Sequence, residues 1–587
     1  MTLKDELSKL VGDAFAAEGL EFELGAVKPA DRPDLAQFQC NGALPAAKQA
    51  KKNPREIAEA IKSRLANEPQ FAEISVAGPG FINLKLNDEF LSAKATSLTE
   101  GDRFGGWARP DPEKIVIDYG GANVAKPLHV GHLRAAIIGE ALKRLCRFVG
   151  DRVTGDVHLG DWGLQMGQLI SELALRQPGL EYFKEGGEGP FSSKPPISLA
   201  DLEEMYPIAS AACKEDPARA DEARRATKEL QAGRPGYRAL WRHFVDLSIK
   251  AMREDYDDLG VEFDLWKGEA DADPLIPELT KDLTSKGVIE ESDGAQIIRV
   301  ARDSDKKEMP PIIFLNSQGA IGYHATDIAT IVDRIRELDP DRILYVVDAR
   351  QRLHFEQVFR AVGIAGIFEE TRLEHLWFGT MNGKDGKPFK TRAGGTLKLR
   401  DFIDMVTEKA RERLTASGFA EGYDESETAE IARKVGVAAL KFADLSNPRT
   451  SDYIFDLDRF MAFEGKTGPY LLYASVRVRS ILAKARDAGA GNPGVVIIKE
   501  SEERDLALMM LAFGDAVRES YEKRMPHILC DHAFQLAQAF SKFYAACRIV
   551  DENDPDIRAS RLRLAVLAGG QLDLTLTLLG LEAPERM

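Results

Sequence analysis

The stretch that most limits the fold of this chain runs from Glu113 to Leu142 and reads EKIVIDYGGANVAKPLHVGHLRAAIIGEAL. The branched residues Ile115, Val116 and Ile117 make a continuous apolar run that Gly120 and Gly121 stop, which predicts a buried strand. Leu133, Ile137, Ile138, Leu142 and Leu145 then recur at helical spacing. A buried strand running straight into a helix is the opening of a parallel sheet with crossover helices. His129 and His132 lie three apart at the helix start, on nearly the same face, where free backbone N–H groups favour an anion. Gly131 between them removes a side chain where a flat ring or a phosphate could approach. Paired imidazoles can hydrogen-bond phosphate oxygens and stabilise charge growing on them. Taken alone, an H-x-G-H turn is equally compatible with a helix cap.

At 587 residues the chain is too long for one core. Residues 1–108 read as a separate α/β unit: a helix, a polar loop, a second helix after Pro54, then strand-like ISVAGPGFINLKL turning at Gly78, Pro79 and Gly80. RFGGWARPDP, residues 103–112, reads as a linker. From Glu113 strand and helix patterns alternate, with strand signals at AQIIRVA, PPIIFL and RILYVVDAR. The alternation breaks between about Gly179 and Gln231, within an insertion placed at about 179–310. From Asp456 to Met587 apolar residues recur only every three to four positions, which predicts an all-helical domain.

Lysine plus arginine number 78 against 94 acids, a net charge of −16, which argues against an indiscriminately nucleic-acid-binding surface and does not exclude a local basic track. One basic segment opposes that balance. GKDGKPFKTRAGGTLKLR, Gly383 to Arg400, carries six basic residues against the single acid Asp385, and its glycines and proline favour a loop. Such a loop can close on a polyphosphate and neutralise charge during transfer. The five cysteines are scattered without a C-x-x-C pair, which argues against structural zinc and against disulfides. No apolar run reaches membrane-spanning length, and the acidic amphipathic start is not a signal peptide, so a cytoplasmic protein without membrane partners is expected. Polar residues at predicted strand ends and in the segments that follow (Asp118, Asn123, Tyr323, Asp327 and Gln351) would form a two-carboxylate pocket suited to a small cation.

The H-x-G-H signature, the later lysine-rich loop and the helical carboxyl-terminal domain resemble class I aminoacyl-tRNA synthetases. More narrowly, ANVAKPLHVGHLR, HLGDWGLQMG, FKTRAGGT, NPRTSDYIFDLDRFMAFEGKTGPYLLYASVR and the terminal LGLEAPERM resemble the bacterial-type arginyl-tRNA synthetase family. The resemblance implies a multidomain α/β protein. It would have an N-terminal α/β domain on the tRNA elbow (1–108), a Rossmann-type parallel-sheet catalytic domain (109–455) and an all-helical anticodon-binding domain (456–587). It implies activation of L-arginine by ATP, with release of pyrophosphate, and transfer to the terminal adenosine of tRNA(Arg). ATP is then a substrate, Mg2+ follows from ATP chemistry with no dedicated metal ligands, and a monomer is expected.

Residue by residue, the resemblance puts His129 and His132 on the ATP phosphates, Gly131 under the adenine, and Asp118, Asn123, Tyr323, Asp327 and Gln351 in the arginine pocket. The family's K-M-S-K-S loop is present only as FKTRA, with Ala393 in place of its second lysine. The substitute that the family offers is the lysine ahead of the histidines, here Lys126, with Lys387 and Lys390 sharing the work. Arg477 and Arg479, with Lys484 and Arg486 on the same predicted helix, are tRNA phosphate contacts on this reading or else a solvated face. The rivals are another H-x-G-H nucleotidyltransferase, which would not need the helical domain, and a tRNA-binding relative without catalysis, against which the intact Lys126, His129, Gly131 and His132 speak.

Overall fold

The structure is a computed structural model that describes residues 2–587 apart from 33–34, 99–100, 102, 318, 388–396 and 420–421. It divides into two compact units, Pro110–Gly418 with Tyr423–Met461, and Met1–Arg109 with Phe419–Gly422 and Ala462–Met587.

The first of these is built on four parallel strands in the order Leu373–His375, Arg342–Val346, Lys114–Tyr119, Arg152–Asp156. The earliest strand, Lys114–Tyr119, therefore has its successor on one side and a strand more than two hundred residues later on the other. The order reverses between Tyr119 and Val346, where the paired carboxyl ends open a crevice, the usual ligand position of such sheets. Helix Val130–Val149 returns across the sheet with Leu133, Ile137, Ile138, Leu142 and Leu145 buried, as the periodicity predicts. Gly139 on that helix faces the sheet so closely that a Cβ would lie 2.2 Å from Tyr119 Cγ.

Two of the predicted strands join a different sheet. Ala295–Ile298 and Ile312–Leu315 pair antiparallel with each other, and Ala295–Ile298 pairs antiparallel with Glu290–Ser292. The cause is local. Asp293 and Gly294 both take positive φ, 51° and 76°, the conformation of a tight Asp-Gly hairpin turn, which forbids a crossover. The helices Leu199–Glu215, Pro217–Gln231 and Pro235–Asp258 occupy much of the predicted insertion. They are seated by close packing: a Cβ on Gly167 would fall 2.1 Å from Thr227 Oγ1.

In the other unit, residues 1–97 form an antiparallel sheet in the order Val27–Pro29, Phe38–Cys40, Phe81–Leu86, Phe71–Ala77, covered by helices whose Leu7, Val11, Phe15, Ile57 and Ile61 are buried. The predicted turn at Gly78–Gly80 joins Phe71–Ala77 to Phe81–Leu86. Helices Gly468–Asp487, Ser501–Leu511, Phe513–Lys523, His527–Ala546 and Pro555–Leu578 make up the rest. Leu508 and Leu511 pack on the core of residues 3–91, and Arg518 pairs with Asp5 at 2.9 Å. The expected linker is tied down along residues 103–109. The Phe104 carbonyl accepts from Gln571 Nε2 at 2.8 Å, and the Phe104 ring fills the space that a side chain at Gly570 would need. Among the described residues no helix is long and apolar enough to cross a membrane.

Candidate active site

The turn after Lys114–Tyr119 is held by backbone pairing. Val124 N–H donates to Gly160 O at 3.0 Å and Gly160 N–H to Ala122 O at 3.1 Å, which leaves Asn123 exposed at the crevice. Ala125 takes a positive φ of 61°, costly for alanine, and its N–H is secured by Ser248 Oγ at 2.9 Å. Lys126 follows directly. The two histidines then cap the helix reciprocally. Gly131 N–H donates to His129 Nδ1 at 2.9 Å, and His129 N–H to His132 Nδ1 at 3.1 Å, with ring centroids 3.9 Å apart.

Because a backbone N–H can only donate, both Nδ1 atoms are acceptors, and each neutral ring must carry its proton on Nε2. Burial pushes the His132 imidazolium down to about 3, helped by His129, and burial lowers His129 as well, with Lys126 adding to it. The pair is therefore two neutral N–H donors, suited to anionic oxygens and unsuited to act as bases. A Cβ at Gly131 would stand 2.6 Å from His129 Cε1, so the glycine leaves the room that the imidazole needs to accept from the Gly131 N–H.

The basic segment returns to this turn. Val130 N–H donates to Leu397 O at 3.1 Å and Leu399 N–H to Leu128 O at 2.8 Å, a short antiparallel stitch that sets Lys398 opposite His129. Three of the six basic residues are engaged by carboxylates of the fold: Lys384 by Asp456 at 3.2 Å, Lys398 by Glu203 at 2.7 Å, and Arg400 by Asp255 at 2.8 Å and by Asp258. Lys387 is exposed in a turn whose Gly383 N–H donates to its carbonyl at 2.8 Å. Lys390, Arg392 and Ala393 lie outside the described residues.

The carboxylates form two groups. Asp118, at the end of its strand, accepts at Oδ2 from Arg334 at 2.6 Å, and the same guanidinium donates to Asp156 at 2.7 Å, all three side chains buried. Asp118 is thus one arm of an internal ion triad. Burial raises its carboxyl even so, whereas for Asp156 the opposing burial is outweighed by Arg334 and His158 together, through charge and hydrogen bonds, and the carboxyl is held low. The second group is Asp327, Glu269 and Asp161. Burial pushes Glu269 up to about 7, with the charges of Asp161 and Asp327 adding to it, and burial pushes Asp161 to about 7. Among the described residues no lysine or arginine pairs with any of these three. Asp327 accepts instead from His354 Nε2 at 2.5 Å.

Tyr323 and Asp327 begin the same helix, Tyr323–Leu338, one turn apart, and the Tyr323 ring is 77% exposed. Gln351 is exposed at the end of the short turn Ala349–Gln351 after strand Arg342–Val346. Burial drives the Tyr345 hydroxyl upward, and both Asp118 and Asp327 add to the shift, which puts the two acid groups within electrostatic reach of one ring. Glu269, Asp161 and His354 escape sequence reasoning. The four-residue helix Glu269–Ala272 has no periodicity to read, and Asp161 shows only as the cap whose Oδ1 accepts from Ala270 N–H at 3.1 Å. The helical candidates differ in their commitments. Arg479 is engaged by Asp573 at 3.0 Å and by the Pro584 carbonyl at 3.1 Å, while Arg477 is exposed with its guanidinium 5.4 Å from the Tyr544 ring centre.

Three family models match: class I (R) tRNA synthetase catalytic domain over residues 95–457, arginyl tRNA synthetase N-terminal domain over 1–86, and DALR anticodon binding domain over 471–587. The arginine–tRNA ligases of Hyphomonas neptunium and Maricaulis maris are each 54% identical to this chain, with 100% of both chains covered. In fold it matches arginyl-tRNA synthetases of Plasmodium falciparum (TM-score 0.82, 24% identity, 100% and 99% covered) and Thermus thermophilus (0.81, 24%, 100% and 100%). A catalytic-domain match across most of the chain, together with full-length identity of this size, is decisive: the chain belongs to the arginine–tRNA ligases, the arginyl branch of the class I tRNA synthetases.

Proposed function

We propose that this chain joins L-arginine to tRNA(Arg) in two steps. The arginine carboxylate attacks the α-phosphorus of ATP, forming arginyl-adenylate and expelling pyrophosphate. A ribose hydroxyl of the terminal tRNA adenosine then attacks the arginyl carbonyl, and AMP leaves. The observation that carries the reading is the pair of imidazoles fixed as Nε2–H donors at the crevice. Donors preset toward growing negative charge stabilise it without reorganising, and this pair neither gains nor loses protons near neutral pH. Lys126 supplies the positive charge that Ala393 does not, with Lys387 and Lys390 assisting.

Asp327, with Glu269 behind it, takes the guanidinium in bidentate fashion. Tyr323, Asn123 and Gln351 frame the rest of the amino acid, and Asp118 has the lesser part because Arg334 holds its Oδ2. Gly131 lies under the adenine on the family's pattern. Among the described residues no group of three or more histidine, cysteine or carboxylate side chains forms a metal cage, so magnesium belongs to this reading on the triphosphate, with phosphate oxygens and water as ligands. Domains 1–108, 109–455 and 456–587 serve the tRNA elbow, catalysis and the anticodon; the roles of the second and third are supported by the names of the family models that match there. Arg477 is the better tRNA phosphate contact of the helical pair, because Arg479 is already paired within the fold. The protein works as a cytoplasmic monomer.

The test is ATP–pyrophosphate exchange with each amino acid, with and without tRNA. Exchange should require arginine and should depend on tRNA, which completes a site lacking one loop lysine. Exchange driven by another amino acid would overturn the reading, and robust exchange without tRNA would remove its tRNA dependence. In single-turnover activation Lys126→Ala should lose on the order of 100-fold, one transition-state contact of about 3 kcal/mol. Normal activation by that variant would return the role to Lys387 or Lys390.

A further inference from the structure

Lys126 does not point into open solvent. Its Nζ stands 4.6 Å from the ring centre of Tyr206, on helix Leu199–Glu215 of the insertion. Glu203, three residues earlier and so on the same helical face, holds Lys398, the residue stitched opposite His129. Both cations that flank the histidine turn thus meet one face of one helix. That helix is fixed by buried Leu202, Met205 and Ala209 and starts at a Ser198–Asp201 capping box. A cavity of about 250 Å³ runs between Lys126, Glu203, Asp255, Lys398 and Arg400.

Of its four carboxylates Glu203 is committed to Lys398 and Asp255 to Arg400, and among the described residues neither these nor Glu254 and Asp401 form an ion pair with Lys126, whose ammonium meets an aromatic face instead. The difference matters for a transferring phosphate. A carboxylate partner would cancel the charge that the phosphate must receive. A ring quadrupole holds an ammonium in place and leaves its charge intact. A free lysine stem has many rotamers to lose when it engages, and holding it beforehand removes that cost from the barrier.

We propose that Tyr206 is a positioning residue that presets Lys126 for phosphate contact, which gives the insertion helix a part in adenylate formation. This rests on the reading of Lys126 given above. The test uses the full chain with Tyr206→Leu and Tyr206→Phe, each alone and combined with Lys126→Ala, assayed by arginine- and tRNA-dependent pyrophosphate exchange. Tyr206→Leu should lower kcat about tenfold and leave the KM for arginine within about twofold. Tyr206→Phe keeps the aromatic face and should match the parent, and Tyr206→Leu should cost nothing further in Lys126→Ala. Parent-like kcat in Tyr206→Leu, an equal loss in Tyr206→Phe, or the same tenfold loss on top of Lys126→Ala would each overturn the proposal. Acetic anhydride labelling of Lys126, read by mass spectrometry, tests the contact whether or not the parent catalyses exchange. Labelling should be faster in Tyr206→Leu than in parent or Tyr206→Phe, and equal rates would overturn it. A parent without arginine-dependent exchange would instead strike at the two-step reading.

Discussion

Two groups of carboxylates lie near the carboxyl ends of the same parallel sheet, and they carry their charge by opposite means. Asp118 and Asp156 share the Arg334 guanidinium, buried and fully internal. Asp161, Glu269 and Asp327 are as crowded, yet among the described residues no lysine or arginine of the fold answers them. In the first group the cation is part of the chain, and both acids are engaged by it within the fold. In the second, burial pushes Glu269 and Asp161 up to about 7, with the charges of Asp161 and Asp327 adding for Glu269 and that of Asp271 for Asp161, a state that an incoming cation relieves. On the proposed reading, similar residue types hold the fold in one group and receive arginine in the other, and what separates them is where the counter-charge comes from.

The comparison breaks most visibly at Arg334. Arg334→Met should destabilise the protein by about 3–5 kcal/mol, because Asp118 and Asp156 would be left buried without a partner; thermal or urea unfolding reads the loss. A parent-like melting curve would mean that the triad is not structural. Asp327→Asn should do the reverse, leaving unfolding nearly unchanged. It should raise the KM for arginine about a hundredfold with ATP affinity little altered. If Asp327→Asn binds arginine as tightly as the parent, the second group is not the recognition site.

The smallest effect sharpens the comparison by pH. Glu269 titrates in the folded protein near 7, well above an ordinary glutamate, and a guanidinium binds its deprotonated form. Protonation therefore competes with arginine, so affinity should rise as pH rises through 7 and level off above it. Between pH 6 and pH 8 the gain should be about tenfold, with proton release visible when calorimetry is run in buffers of different ionisation enthalpy. Glu269→Gln should flatten that slope. A slope that persists in Glu269→Gln would move the titration to Asp161. The same raised carboxyl costs stability as pH rises from the ordinary glutamate range through 7, and bound arginine should cancel that cost.

What the sequence disclosed follows the range of the interactions. The histidine turn is legible because its chemistry is local: strand, turn, cap and helix lie within about forty residues, and His129, Gly131 and His132 contact one another. Tyr323 and Asp327 are legible because one helical turn joins them. Asp118 is legible as a polar strand end. Its tie to Arg334 is not, since the two are 216 positions apart and only the sheet order brings them together. Glu269 meets Asp327 in the same long-range way. The antiparallel pairing of Ala295–Ile298 was written in Asp293–Gly294, a signal weaker to the eye than the apolar runs around it.

One compact unit joins the two ends of the chain, residues up to Arg109 with Ala462–Met587. On the ribosome those ends are far apart in time. About 350 residues must be polymerised after Arg109 before Ala462 emerges, roughly 20–70 s at about 5–20 residues per second. Through that interval the surface later covered by Leu508 and Leu511 stays open to water and to other nascent chains, and Asp5 waits for Arg518. The amino-terminal sheet has a buried core of its own, and the later helices add Leu508 and Leu511 to it. Completion of this unit therefore waits for helices made about 350 residues after its first part.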